Sequence, residues 1–199
     1  MRYLLLILAA SLTLSLTGCG VASRSHYDPY YNNQTDYRGS SSQYNGNRSK
    51  NLAPRVIGEY MDAKAAAIAG HSRDADVRVV TDRKGIPALQ ITYNASALVS
   101  SFNGTISNRG ERELDYICRL MSDEKHTDVS IVAGTRSSDR SNVLAGVNII
   151  KNYLVKRGIA KSRIVETDAV RGGGVLTDTY TITFMADNNM VRRANNGAL

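Results

Sequence analysis

The run Ile150-Lys-Asn-Tyr-Leu-Val-Lys-Arg-Gly-Ile159, followed by Arg163-Ile164, holds the clearest structural signal in this chain. Its apolar residues continue a spacing of three or four that starts upstream, at Val143, Val147, Ile150 and Leu154. This spacing predicts a helix with one apolar face, and Gly158 is placed to end it. A short strand over residues 163–167 follows, so the run predicts a helix that returns the chain to a sheet.

The residues on either side extend this pair of elements into a larger pattern. Upstream, the sequence predicts a helix over 54–69, strands over 76–81 and 88–93, a helix after Asn108 and a strand over 129–133. Downstream of a glycine-rich turn, residues 179–185 alternate as a last strand. From residue 88 the order βαβαββ predicts an α/β (α+β) fold, in which a mixed sheet carries helices on one face. The helix over 54–69 and the first strand precede that unit.

The N-terminus has the form of an export signal. Arg2 precedes an apolar segment, and small residues lead into Leu16-Thr-Gly-Cys19. The segment is shorter than the roughly 20 apolar residues of a membrane-spanning helix. It resembles the bacterial lipoprotein signal, which implies cleavage before Cys19 and acyl chains such as palmitate on that cysteine. An ordinary signal peptide or a plain N-terminal anchor helix is the alternative.

The same resemblance gives a location. Gly20, where an inner-membrane lipoprotein has Asp, implies the outer membrane with the chain facing the periplasm. Two or more acyl chains anchor a protein stably, at about 0.8 kcal/mol per buried methylene.

The sequence divides into segments by composition. Residues 1–18 form the predicted signal peptide, and residues 19–50 are rich in Ser, Asn, Gly and Tyr and nearly free of aliphatic residues, so they predict a disordered tether. The five tyrosines of that tether either dock on a partner or membrane surface or are simply solvated. Residues 51–187 form the folded domain, and residues 188–199 are expected to be a frayed C-terminal tail.

Charge and composition exclude several function classes. The net charge of +7 comes from Lys and Arg that mostly occur singly, so no nucleic-acid-binding patch is predicted, although anionic envelope partners fit. With Cys19 acylated, Cys118 has no intramolecular partner and is expected to be a buried apolar residue. No spacing indicates a metal site, a catalytic residue or a cofactor other than the covalent lipid, so we do not expect an enzyme.

The domain resembles the OmpA-like periplasmic domains over roughly residues 55–187. The matching segments are Leu89-Gln-Ile-Thr-Tyr-Asn94, Ile106-Ser-Asn-Arg-Gly110, Val129-Ser-Ile-Val-Ala-Gly134 and the run Ile150–Ile159. The resemblance implies non-covalent binding of peptidoglycan. In that family an Asp, an Arg and a helix N-terminus hold the charged ends of the diaminopimelate side chain.

The ligand residues of that family do not carry over. Ser137 stands at the Asp position, Gly146 at the Arg position near the start of the second helix, and Thr177-Asp-Thr179 at the Asn-Arg-Arg before the last strand. In one interpretation, the domain still binds peptidoglycan, but more weakly, through other groups in the strand–helix loop: Arg136, Ser137, Asp139 and Arg140. That loop is otherwise a solvated turn in which Asp139 or Ser141 caps the helix.

The other interpretation keeps the fold as a scaffold. The domain would then contact envelope proteins instead of peptidoglycan, as a structural subunit of a secretion-system outer-membrane complex. The IcmN/DotK lipoproteins of type IVB secretion systems are a family of this kind.

Overall fold

In a computed structural model of the chain, residues 52–100, 104–136, 140–171 and 177–199 are described. Five strands form one sheet: β1 Ala75–Thr81, β2 Pro87–Asn94, β3 Thr127–Thr135, β4 Ile164–Arg171 and β5 Thr179–Ala186. Their order across the sheet is β1-β2-β5-β3-β4. Only the β3–β4 pair is parallel, and helical residues connect these two strands. The predicted mixed sheet is therefore confirmed.

Five helices accompany the sheet: α1 Ala53–His71, the single turn α2 Ala95–Leu98, α3 Asn108–Met121, α4 Ser141–Lys156 and α5 Asn188–Asn195. A 3-10 turn at Lys161–Arg163 leads into β4. Within the described ranges, none of the helices combines the length and the apolar character needed to cross a membrane.

The core lies between the sheet and a layer of three helices. The strand register aligns apolar residues in rows across β2, β5 and β3: Leu89, Phe184 and Val129 in one row, and Ile91, Ile182 and Ile131 in the next. All six are fully buried. Helix α1 packs on β1 and β2, and α4 packs on β3 and β4. Alternation along each strand thus places one face of the sheet in the core, as a period of two requires.

Helix α3 joins α1 to α4. The Tyr116 hydroxyl on α3 donates to the carbonyl oxygen of Ala67 on α1 at 3.2 Å. The Tyr153 hydroxyl on α4 donates to the Asp115 carboxylate on α3 at 2.7 Å. The Ser107 side chain accepts a hydrogen bond from the Gly110 amide and caps α3. The helix was predicted to begin after Asn108, so the observed helix begins one residue earlier. These contacts place the three helices in one layer, so α1, predicted only to precede the βαβαββ unit, shares the layer of α3 and α4.

The C-terminal prediction is wrong in one respect, because residues 188–195 form a helix instead of a frayed tail. Asp187 caps this helix by accepting the Met190 amide at 2.7 Å. Met190 and Ala194, one turn apart, are fully buried. The Asn195 side chain in turn accepts the amide of Ala53, the first residue of α1, at 2.9 Å. Helix α5 is therefore part of the domain.

The predictions for β4 and Cys118 can also be compared with the structure. Strand β4 extends to Arg171, four residues beyond the predicted end. Cys118 is buried, as expected. The predicted signal peptide, Cys19, the tether over 19–50, Ser137 and Asp139 lie outside the described residues.

Candidate functional site

A cleft of about 950 Å³ opens at one end of the sheet. It lies where β2 and β3 end and where β5 and α4 begin. Its polar lining includes Asn94, Ser96 and Ser100 from the β2–α2 segment, Arg136 after β3, Asn142 on α4, and Thr177, Asp178 and Tyr180 around the start of β5. Four separate chain segments therefore contribute polar groups to one open cavity.

Asp178 holds these segments together. Its carboxylate accepts the backbone amide of Arg136 at 3.3 Å, and its backbone carbonyl accepts the amide of Ala95 at 2.8 Å. The Thr177 hydroxyl donates to the Asn94 side-chain oxygen at 3.0 Å. The ends of β2 and β3 are thus fixed against the start of β5, and Asp178 lines the cleft.

The structure separates the four residues of the predicted contact loop. Arg136 lines the cleft. Arg140 points its guanidinium elsewhere, because Nη1 donates to the Ala169 carbonyl on β4 at 3.1 Å. Ser137 and Asp139 lie outside the described residues. Among the described loop residues, only Arg136 therefore belongs to the cleft.

Two cleft residues carry features that sequence reasoning missed. Tyr180 is 3% exposed, and a methyl group built on Gly146 of α4 would overlap its hydroxyl. Burial, with the Asp178 carboxylate nearby, raises the pKa of Tyr180, so the phenol stays neutral. The alternation in β5 placed Tyr180 on the core face, but no sequence pattern indicates that its hydroxyl meets α4.

Helix α4 begins at this region, with residues of its first turn in the cleft lining. Arg140 occupies the N-cap position and makes no side-chain cap hydrogen bond, and the first turn holds no acidic residue. Ser141 is the first helical residue and does not cap the helix, which corrects one of the two caps considered. Asn142 and Val143, in the first turn, line the cleft. The first amides of a helix lack intrahelical partners, and they carry partial positive charge.

A solved structure shares this architecture. A MotB-like protein from Desulfovibrio vulgaris is 12% identical, with a TM-score of 0.52, over 67% of this chain and 94% of that one. The domain has the OmpA-like fold. The periplasmic domain of Helicobacter pylori MotB matches at 10% identity and TM-score 0.46, over 65% of this chain and 90% of its own length. The OmpA-like domain of FopA1 from Francisella tularensis matches at 9% identity and TM-score 0.39, over 71% of this chain and 97% of its own.

No protein-family model matches the sequence, and no curated protein matches it. At 12% identity, the likeness to the MotB-like protein establishes the fold of this OmpA-like domain and nothing about its ligand.

Proposed function

We propose that this chain is an outer-membrane lipoprotein whose OmpA-like domain holds the cell wall on the periplasmic side. Cys19 would carry the lipid, the tether would span the gap, and the cleft would hold a peptidoglycan stem peptide. The observation that carries the proposal is the cleft itself, where Asp178, Arg136 and Asn142 at the start of α4 surround one open volume. These groups bind and do not react, so the proposed role is attachment and not catalysis.

The chemistry of the cleft suits the end of a stem peptide. A diaminopimelate side chain ends in an ammonium and a carboxylate. The Asp178 carboxylate would pair with the ammonium, and the positive end of the α4 helix dipole favours an anion. Arg136 adds a cation at the same cleft. The substitute groups differ from those that the family resemblance implies, because Gly146 supplies no guanidinium.

Retention on isolated sacculi tests the wall-binding role. We expect the mature chain, residues 19–199 with Cys19→Ser so that it is handled without lipid, to pellet with sacculi. Asp178→Asn removes the carboxylate of the cleft and should lower retention about 10-fold, since charge-assisted hydrogen bonds contribute roughly 1.5–3 kcal/mol. Asp123→Asn is the matched control, because Asp123 is exposed after α3, away from the cleft. Equal retention of the two variants would remove Asp178 from the site.

The lipid anchor has its own test. Cells that express the full chain or its Cys19→Ser variant are labelled with a fatty-acid probe and then fractionated. Loss of the label and release from the outer-membrane fraction in the variant are the expected results. A variant that keeps both would show that Cys19 carries no lipid.

The second candidate is a structural subunit of an envelope assembly, such as the outer-membrane complex of a type IVB secretion system. The observation in its favour is that Tyr180 fills the space where a side chain of residue 146 would lie. If the mature chain washes off sacculi, crosslinking in cells should recover defined protein partners. Retention on sacculi without such partners favours the wall-binding role.

A further inference from the structure

The face of the sheet that points away from the helices, which we call the outer face, is buried although none of the described helices covers it. The strand register places Val80, Ala88, Met185 and Asp128 in one row of this face, across β1, β2, β5 and β3. Val80 is 5% exposed and Ala88 is fully buried. Neither belongs to the apolar core that the helices share with the sheet, and α1 to α5 all bury their apolar side chains in that core.

The burial of Val80 requires a cover. Strand β1 is an edge strand, so Val80 has a cross-strand neighbour on one side only, and the methyl group of that neighbour, Ala88, shields little. Val165 on β4, the other edge strand, is 55% exposed. Burial, with the Asp187 carboxylate adding to its effect, also raises the pKa of Asp128 in the same row. Neighbours within the sheet do not account for this burial, so another part of the chain is needed to cover the row.

Of the segments outside the described ranges, the N-terminal one joins the domain nearest to this row. Residues 101–103, 137–139 and 172–176 each adjoin a residue that lines the cleft, whereas Val80 and Ala88 lie at the opposite end of the sheet. Helix α1 begins at that opposite end, where Asn195 of α5 accepts the Ala53 amide. About ten extended residues, at about 3.3 Å each, are enough to pass from there round the sheet and across strands about 4.8 Å apart. The tether over 19–50 is longer than that.

The tether also matches the outer face in chemistry. Its tyrosines can pack their rings on the apolar row and donate their hydroxyls to the polar row beside it, which holds Gln90, Thr183 and Ser130. Among the described residues, the strands present four carboxylates and one guanidinium on this face: Asp76, Asp128, Glu166, Asp168 and Arg78. Lys84 of the adjoining turn leaves the balance negative. The tether has the opposite balance, with four cations and two carboxylates: Arg24, Arg38, Arg48, Lys50, Asp28 and Asp36.

We infer that the tether packs on the outer face of the sheet, with tyrosine rings over Val80 and Ala88. The inference does not depend on wall binding at the cleft. Because the tether is joined to the domain, its effective concentration is in the millimolar range, so weak contacts are enough to hold it. A free coil of this length spans about 30 Å, whereas a docked tether keeps the domain close to Cys19. Docking and release therefore set how far the domain reaches from its point of anchorage.

Thiol labelling at one site on the outer face tests the inference. Ala88→Cys is introduced into the mature chain with Cys19→Ser, and its reaction with a maleimide is followed. The same measurement is made in a second chain in which all five tether tyrosines are also replaced by Ser: Tyr27, Tyr30, Tyr31, Tyr37 and Tyr44. We expect labelling to be at least about 10-fold faster without the tyrosines, since a docked segment must open before the thiol reacts. Equal rates in the two chains would overturn the inference.

Three controls accompany the labelling. Asp123→Cys, at an exposed site after α3, should label at one rate in both chains. Cys118, buried in the core, labels only when the domain unfolds, so it reports whether Ala88→Cys disturbs the fold; in that case Thr183→Cys in the neighbouring row takes its place. Slow labelling that speeds up on dilution of the protein would mean that a second copy covers the face, which would also overturn the inference. Retention on sacculi bears only on the proposed function, so the two proposals can fail independently.

Discussion

The two ends of the sheet are built differently. At the end opposite the cleft, which we call the closed end, the polar groups of the α3–β3 turn, β4 and α5 satisfy one another. Glu124, 6% exposed, accepts the His126 amide at 2.9 Å and pairs with Arg193 at 3.5 Å. Arg163 donates to the Thr127 carbonyl at 2.7 Å, and Asp187 lies 3.4 Å from the His126 imidazole.

At the cleft end, polar groups line an open volume. Arg140 makes no side-chain cap hydrogen bond to α4, and no described residue forms a hydrogen bond with the Tyr180 hydroxyl, which lies at the cleft. Groups that pair within the protein stabilise the fold, whereas groups left open cost stability unless a ligand binds them. The closed end is therefore held by pairs within the protein, whereas the cleft end presents polar groups to an open volume.

Breaking the closed end should have the largest effect on stability. Met190→Ala removes a fully buried side chain of α5, and a cavity of this kind costs about 2–5 kcal/mol. Chemical denaturation measures the loss. Hydrogen exchange should also quicken at Ala53, whose amide is held by Asn195 at the end of α5.

Asn188→Ala is the control for that variant, because Asn188 is exposed on the first turn of the same helix. It should change the free energy of unfolding by less than about 0.5 kcal/mol. If Met190→Ala behaves like this control, α5 is not part of the stable core. The contrast between the two ends would then fail.

At the cleft end, filling the space of residue 146 should have an intermediate effect. Gly146→Ala forces a methyl group against the Tyr180 hydroxyl, and overpacking of this kind costs about 1–3 kcal/mol. In a Tyr180→Ala background the same change should cost much less, because the obstructing ring is gone. A double-mutant cycle measures this coupling.

Gly70→Ala is the matched control. Gly70 also lies in a helix, α1, but a methyl group there meets nothing within 4 Å. It should stabilise the domain by about 0.5–1 kcal/mol, the ordinary gain for this change in a helix. The opposite signs of the two Gly→Ala substitutions would show that Tyr180, and not helix propensity, sets the cost at residue 146.

Whether an element could be predicted from the sequence depends on whether the interactions that form it are local in the chain. Strands β1, β2, β3 and β5 and helices α1, α3 and α4 were predicted within a few residues, because their apolar spacing is local and regular. Helix α5 was missed because only Met190 and Ala194 of its eight residues are buried, and the remaining residues are polar or partly exposed. Two apolar residues one turn apart are too weak a periodicity to distinguish a helix from a tail.

The cleft was predicted only in part for a different reason. The strand–helix loop was identified as the site, and Arg136 of that loop does line the cleft. Asp178 and Tyr180 were not proposed as contact residues, because they join the site only through the sheet order β2-β5-β3. Contacts between strands distant in the chain depend on that order, which local patterns do not determine.

The smallest effect that we expect is on the free energy of unfolding at alkaline pH, where tyrosines at the two ends of the sheet contribute differently. Burial, together with the Glu124 and Asp123 carboxylates, raises the pKa of Tyr60 near the closed end to about 12. The pKa of Tyr180 is raised by burial and by Asp178. A tyrosine in the unfolded chain ionises near pH 10, so the folded state holds these protons longer than the unfolded state does. Their stabilising effect is complete below pH 10 and is lost as the pH rises toward the folded-state pKa.

Urea denaturation at several values between pH 9 and pH 11.5 measures that loss. Tyr60→Phe should flatten the decline in the free energy of unfolding, and Tyr180→Phe should flatten it less. The order follows because burial, with Glu124 and Asp123 and against the opposing Arg163 guanidinium, raises the pKa of Tyr60 to about 12, whereas the rise at Tyr180 is smaller. Equal slopes for the two variants would contradict this order.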